Sequence, residues 1–270
     1  MILVTGSRGA VATHLISLLR ERGLPFRAAS SAADAEVTLN LSDPATFAPA
    51  LEGVTSVFLY ANDGQPATFA KEAVAAGVRD VVLLSSASVL APDADSKPLA
   101  RSHLEVERAL FDSPLQVTSL RPGAFASNAL GWAWALRSGR PISLPYPNAH
   151  NDAIHEADIA EAALAVLTEP DKAGGPYTLT GPESLSFVDQ VEILAAATGR
   201  AIPIETVTRE QWKAAMGDYM RPEYADALLD WWQSCDGRPA TLTSDVETLT
   251  GRTPRTFATW ARDHAEAFAS

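Results

Sequence analysis

The chain has 270 residues, 47% of them hydrophobic and 20% charged, which is enough apolar material for a substantial core and argues against disorder. Its formal net charge of −12 opposes nonspecific binding to nucleic acid, whose phosphates it would repel. No apolar run approaches the ~20 residues of a membrane span, residue 2 already enters a strand so no signal peptide is expected, and the single cysteine, Cys235, cannot close an internal disulfide. These features suit a cytoplasmic monomer or homodimer with a small-molecule ligand.

Ile2-Leu3-Val4 predicts a short buried strand. Thr5-Gly6-Ser7-Arg8-Gly9-Ala10-Val11-Ala12 follows, and Val11, Leu15, Leu18 and Leu19 then recur at helical spacing. Strand, glycine turn and helix make the first half of a βαβ nucleotide-binding unit. Gly6 lets the chain reverse tightly. Gly9 lets a pyrophosphate approach the backbone, and the new helix aims its N–H groups and dipole at the phosphates. Thr5, Gly6, Ser7, Arg8, Gly9, Ala10 and Val11 are therefore candidate cofactor residues. The alternative is a tight turn without a ligand.

A second strand, Pro25–Ser30, ends in Ser30 and Ser31, where NAD sites often carry an acidic residue for the ribose hydroxyls. With no carboxylate expected there and Arg8 within reach of a 2′-phosphate, NADP(H) is expected over NAD(H). Glu36–Leu39 predicts a short strand. Asn40 and Leu41 at its end would meet adenine, although turn and capping duties suit Asn40 and Asp43 as well. Strand Thr55–Leu59 delivers Tyr60 and Ala61. Strand Asp80–Leu84 delivers Ser85, Ser86 and Ser88 to the carboxyl edge where open parallel sheets bind ligands; serines there also serve backbone groups.

Helix Pro98–Phe111 and strand Leu115–Leu120 lead to Pro122, Phe125 and Asn128. This alternation predicts an α/β, Rossmann-type doubly wound parallel sheet over residues 1–125. Residues 126–270 are expected as a smaller, mostly helical, substrate-side region interleaved with that core as a single unit. Its elements are a helix over Leu130–Ser138, a loop over Pro141–Asn151, a strand-like Ala153–His155 and a helix over Asp158–Leu167. A strand over Pro176–Thr180 and a serine-started helix over Ser186–Thr198 come next. Helical residues 210–234 and a helical tail complete it. Asn128, Trp132, Tyr146 and His155, with Ser88, would form an aromatic pocket for a planar aromatic or polyketide-like substrate. Trp132 and Trp134 cannot share one helix face, and the tryptophans nearer the C-terminus are expected in the core. No Cys/His metal-ligand spacing is present, and no G-x-S-x-G elbow.

Several of these segments together resemble the NmrA-like branch of the atypical short-chain dehydrogenase/reductases. They are Val4–Ala12, Val81–Ser86, His103-Leu104-Glu105-Val106-Glu107, Leu120–Phe125 with Asn128, Asp158-Ile159-Ala160 and Tyr177–Glu183. The resemblance covers most of the chain. It implies a dinucleotide fold like that of quinone and dye reductases, isoflavone-type reductases and redox-sensing regulators. In the wider superfamily a Tyr-x-x-x-Lys pair handles the proton. Here His103 takes the tyrosine place and Glu107 the lysine place, so the resemblance makes His103 the candidate catalytic acid and leaves no cation on that turn. A quinone or other electron-poor conjugated acceptor tolerates the missing pair, because hydride transfer chiefly needs placement. The expected function is NAD(P)H-dependent reduction of a quinone or related aromatic carbonyl. The alternatives are a non-catalytic NAD(P)-sensing protein, or an isomerase, cyclase or hydrolase on the same fold.

Overall fold

Strands of two to seven residues and helices alternate along the chain of this computed structural model, which describes residues 1–32 and 34–269. In chain order the strands are β1 (Ile2–Val4), β2 (Phe26–Ser30), β3 (Val37–Thr38), β4 (Ser56–Tyr60), β5 (Asp80–Leu84) and β6 (Gln116–Pro122), then β7 (Ile142–Leu144), β8 (His150–Asn151), β9 (Pro176–Leu179), β10 (Leu185–Ser186) and β11 (Ile204–Thr206). The helices are α1 (Ala10–Glu21), α2 (Phe47–Leu51), α3 (Pro66–Ala75), α4 (Pro98–Phe111), α5 (Ala133–Arg137) and α6 (Glu156–Thr168), then α7 (Phe187–Thr198), α8 (Arg209–Met216), α9 (Pro222–Cys235), α10 (Asp245–Thr250) and α11 (Phe257–Asp263).

The main sheet has the order β3-β2-β1-β4-β5-β6-β9, and every neighbouring pair is parallel. Parallel strands covered on both faces read as continuous apolar runs, as β1 and the Val81–Leu84 stretch of β5 do. The chain reverses direction of travel through the sheet at β1, which lies between β2 and β4. The loop after β1 therefore opens at the switch point where such sheets take ligands.

The chain divides into two units. The first holds the whole seven-stranded sheet and comprises 1–122, 156–179 and 245–252. Its core gathers Leu3, Phe47, Val57, Phe69, Leu83 and Leu110, with Phe47 and Phe69 packed edge to face at 5.4 Å. α6 packs on α1, and its buried residues include the small Ala160 and Ala163. The segment 245–252 returns to the sheet unit: Asp245 accepts a hydrogen bond from the Thr178 amide of β9 at 2.7 Å, and the Leu249 carbonyl accepts from Lys172 at 2.8 Å.

The second unit comprises 123–155, 180–244 and 253–270. Its core centres on fully buried Trp260, stacked between Phe257 at 5.4 Å and His264 at 4.5 Å, with Phe187, Ile142 and Leu144 nearby. Trp212 is buried with Ala225 and Leu229 under α8 and α9, whereas Trp231 is exposed. Pro141–Asn151, expected as a loop, instead contributes two strands. Ile142 and Leu144 alternate inward and β7 pairs in parallel with β11, while β8 pairs antiparallel with β10. The helical stretch over 210–234 is two helices, because Gly217 between them adopts φ +49. Among the described residues no helix is long and apolar enough to cross a membrane.

Candidate functional site

Gly6, at φ +60, turns the chain out of β1 and brings its α-carbon under Tyr60; a β-carbon on residue 6 would lie 3.4 Å from that of Tyr60. Buried Thr5 ties the loop down. Its amide donates to the Phe58 carbonyl at 3.0 Å and its hydroxyl accepts from the Tyr60 amide at 2.8 Å. The Ser7 amide donates to the Ala29 carbonyl at 3.1 Å, fixing the loop to β2. Gly9 stands at the N-cap of α1, no side chain caps that helix, and its first turn carries no acidic residue. Uncapped N–H groups with a glycine before them form a cradle for an anion. The loop thus fits the pyrophosphate of a dinucleotide, with Gly6, Ser7, Arg8, Gly9, Ala10 and Val11 as the residues that would hold it.

Around this loop the carboxyl edge of the sheet gathers the other expected residues of the first unit. Ser30 is buried, and its hydroxyl accepts from the Ala32 amide at 3.3 Å, while Ser31 is exposed. The expectation that no carboxylate stands near them is corrected: Asp34 follows and ion-pairs with Arg8, both side chains being exposed. The Asn40 side chain accepts from the Ser42 amide at 3.0 Å, a turn duty, and Leu41 packs at the edge of the core. Tyr60 is 54% exposed above the glycine loop, and Ala61 packs against the core. Pro122 ends β6.

The serines after β5 divide by role. Ser86 caps the 3-10 turn Ala87–Leu90 by accepting from the Ser88 amide at 3.2 Å. The Ser85 and Ser88 hydroxyls and the His103 Nδ1 are buried atoms with no hydrogen-bond partner among the described residues. Ser85 is only 4% exposed. A buried polar atom without a partner costs about 1–3 kcal/mol; the two serines stand after β5, at the carboxyl end of the sheet, and His103 on α4. His103 comes from the middle of α4, which packs against that edge. Burial lowers its pKa below the ordinary histidine value, opposed by the charges of Glu107 and then Asp63. Glu107 does have a cationic partner, from a different element. Arg121 of β6 donates to it through Nε at 2.9 Å and Nη2 at 2.5 Å, and the Ser119 hydroxyl donates at 2.7 Å.

In the second unit, Gly123-Ala124-Phe125 is held by Asp152. The Ala124 amide donates to its carboxylate at 2.9 Å, and a β-carbon at Gly123 would collide with that carboxylate. Phe125 bridges Ile154, and Asn128 is exposed. Trp132 packs edge to face on Phe187 at 5.8 Å, whereas Trp134 is 61% exposed with Arg140 over its ring. Tyr146 lies partly buried between two apolar clusters, its hydroxyl 3.5 Å from Arg209. His155 is 3% exposed, with Asp263 at 3.5 Å and the His264 ring at 5.9 Å, so it sits in the interior of this unit. Among the described residues no group of His, Cys, Asp and Glu is arranged to hold a metal.

The family model for NAD(P)H-binding proteins matches residues 6–170, more than half of the chain. The chain belongs to this NAD(P)H-binding family. Two relatives align over nearly their whole length. One is the (4-alkanoyl-5-oxo-2,5-dihydrofuran-3-yl)methyl phosphate reductase of Streptomyces griseus, 34% identical over 100% of this chain and 99% of that protein. The other is the NAD(P)H azoreductase of Xenophilus azovorans, 32% identical over 99% of each. The NADPH-dependent quinone oxidoreductase of Escherichia coli, solved with NADPH, shares the fold at a TM-score of 0.82, with 23% identity and 97% and 99% coverage. The triphenylmethane reductase of Citrobacter sp., solved with NADP(H), does so at 0.80, with 21% identity and 98% and 100% coverage. The family member described here is an NmrA-like atypical short-chain dehydrogenase/reductase and an NAD(P)H-dependent oxidoreductase.

Proposed function

We propose that this reductase delivers hydride from NADPH to a quinone or a related conjugated aromatic carbonyl, with His103 supplying the proton of the reduced product. The observation that carries the reading is that the Ser85 and Ser88 hydroxyls, after β5, and His103 Nδ1, on α4, are buried atoms without a hydrogen-bond partner among the described residues, in the unit that also carries the glycine cradle. When bound, the dihydronicotinamide supplies the hydride. The loop Gly6–Gly9 holds the pyrophosphate, Tyr60 and Ala61 border it, and Arg8 meets the 2′-phosphate, which favours NADPH over NADH. The Ser85 and Ser88 hydroxyls orient a carbonyl oxygen, and His103 Nδ1 holds the proton it receives. The relatives' names give support, since a butenolide, an azo bond and a quinone are all electron-poor conjugated acceptors.

The test is NADPH oxidation, followed by nicotinamide absorbance, over a panel of quinones, α,β-unsaturated lactones and azo dyes. Turnover with quinones is expected. Because His103 titrates below the ordinary histidine range and acts protonated, kcat rises as pH falls toward that value, and this limb vanishes in His103→Gln. Tight cofactor binding without turnover across the panel would overturn the proposal in favour of dinucleotide sensing.

A further inference from the structure

The carboxyl exits of β6 and β9 lie side by side, because the two strands pair in parallel with Pro122 beside Leu179. Gly123 follows directly on β6, and Gly181 stands two residues past β9. Asp152 joins the two exits. Its carbonyl accepts from the Gly181 amide at 2.8 Å, and its Oδ1 accepts from the Ala124 amide at 2.9 Å. The Ile154 amide then donates to the Ala124 carbonyl at 2.8 Å, so the segment runs on beside 124–126. Glycine is needed at both exits. A β-carbon on residue 181 would overlap the Ala153 carbonyl oxygen, and one on residue 123 would overlap Oδ2 of Asp152. The carboxylate is therefore seated on bare backbone where two parallel strands end, the end at which open parallel sheets take ligands.

Only one of its two oxygens is used. Oδ1 has the Ala124 amide, whereas Oδ2 has no hydrogen-bond or ion-pair partner among the described residues. Donors are scarce nearby in the chain: Glu183, two residues past Gly181, also keeps a buried Oε2 without a partner among the described residues. Asp152 is half-buried, and burial holds its carboxyl above the ordinary carboxylate range, offset only in part by the Ala124 amide. An acceptor in that state gains from a group that brings a hydrogen to it. A ligand hydroxyl does so with a short, strong bond. A methyl ether or a bare ring edge leaves the oxygen unmet.

We propose that Asp152 is a specificity residue whose Oδ2 accepts a hydrogen bond from a hydroxyl on the substrate, so that the preferred conjugated acceptors are hydroxylated quinones. This rests on the reading of quinone reduction given above. The test compares three compounds: naphthoquinone, a derivative hydroxylated on the ring remote from the carbonyls, and the methyl ether of that derivative. Each is followed by NADPH oxidation and, at saturating NADP+, by equilibrium dialysis. The wild-type protein is expected to favour the hydroxylated compound over its ether by roughly tenfold in KM and in affinity, with kcat little changed. Asp152→Asn keeps an oxygen for the Ala124 amide and turns an amino group toward the ligand, and the preference is expected to disappear. A purely structural role would alter all three compounds alike and leave their ratio as in the wild type, which overturns the proposal. Equal wild-type affinity for the hydroxylated compound and its ether overturns it as well. Folding is checked by circular dichroism, and Asp152→Ala decides in the same way if the asparagine variant does not fold. Failure of the quinone reading would show separately: no compound would consume NADPH, while dialysis still reported a preference that depends on Asp152.

Discussion

Asp34 is the side chain whose position bears most directly on cofactor choice. Its carboxylate occupies the guanidinium of Arg8, which the 2′-phosphate of NADPH would need. An exposed pair of this kind contributes about 0–1 kcal/mol to stability, so Asp34→Asn leaves the fold intact. On the proposed assignment of Arg8 to the 2′-phosphate, it also removes a negative charge from that place and releases Arg8. The variant is expected to bind NADPH roughly threefold to tenfold more tightly, about 0.7–1.4 kcal/mol, with NADH affinity unchanged. Titration by nicotinamide fluorescence reads this directly; equal changes for both cofactors would show that Arg8 does not meet the 2′-phosphate. The basic residue was legible in the glycine loop. Its partner was not, because the turn after β2 brings together positions 26 apart.

Among the elements, those with local signals were read closely. Ser186 opens α7 with a reciprocal capping box, accepting from the Asp189 amide at 3.1 Å while Asp189 accepts from the Ser186 amide at 2.8 Å. Ser186→Ala is expected to cost about 1 kcal/mol, measured as a lower urea midpoint at unchanged slope. The strand β7 was missed because proline on either side of Ile142–Leu144 gives loop chemistry, while the evidence for a strand lies in its partner β11, some sixty positions away. α4 shows the same limit at the site. His103 and Glu107 were singled out by the family resemblance, but Arg121, the cation that Glu107 binds, belongs to β6.

At the scale of the whole molecule, the two units have separate cores, and the second depends on one indole. Trp260 is fully buried and stacked on both faces, by Phe257 and by His264. Trp260→Ala is expected to destabilise by about 3–5 kcal/mol, seen as a drop in Tm and loss of the near-ultraviolet signal of that tryptophan. The net charge of −12 favours solubility.

The strand–glycine–helix opening, the parallel α/β class and the serine edge after β5 were determined by sequence alone. Each is written in residues that are neighbours along the chain, through periodicity, glycine backbone freedom and capping. The tertiary structure decided that 156–179 and 245–252 rejoin the sheet, that His155 lies in an interior cluster, and that Glu107 meets Arg121 and Ser119. These outcomes depend on packing and ion pairing between distant segments, whose energy belongs to the meeting of two surfaces and leaves no periodic trace in either one.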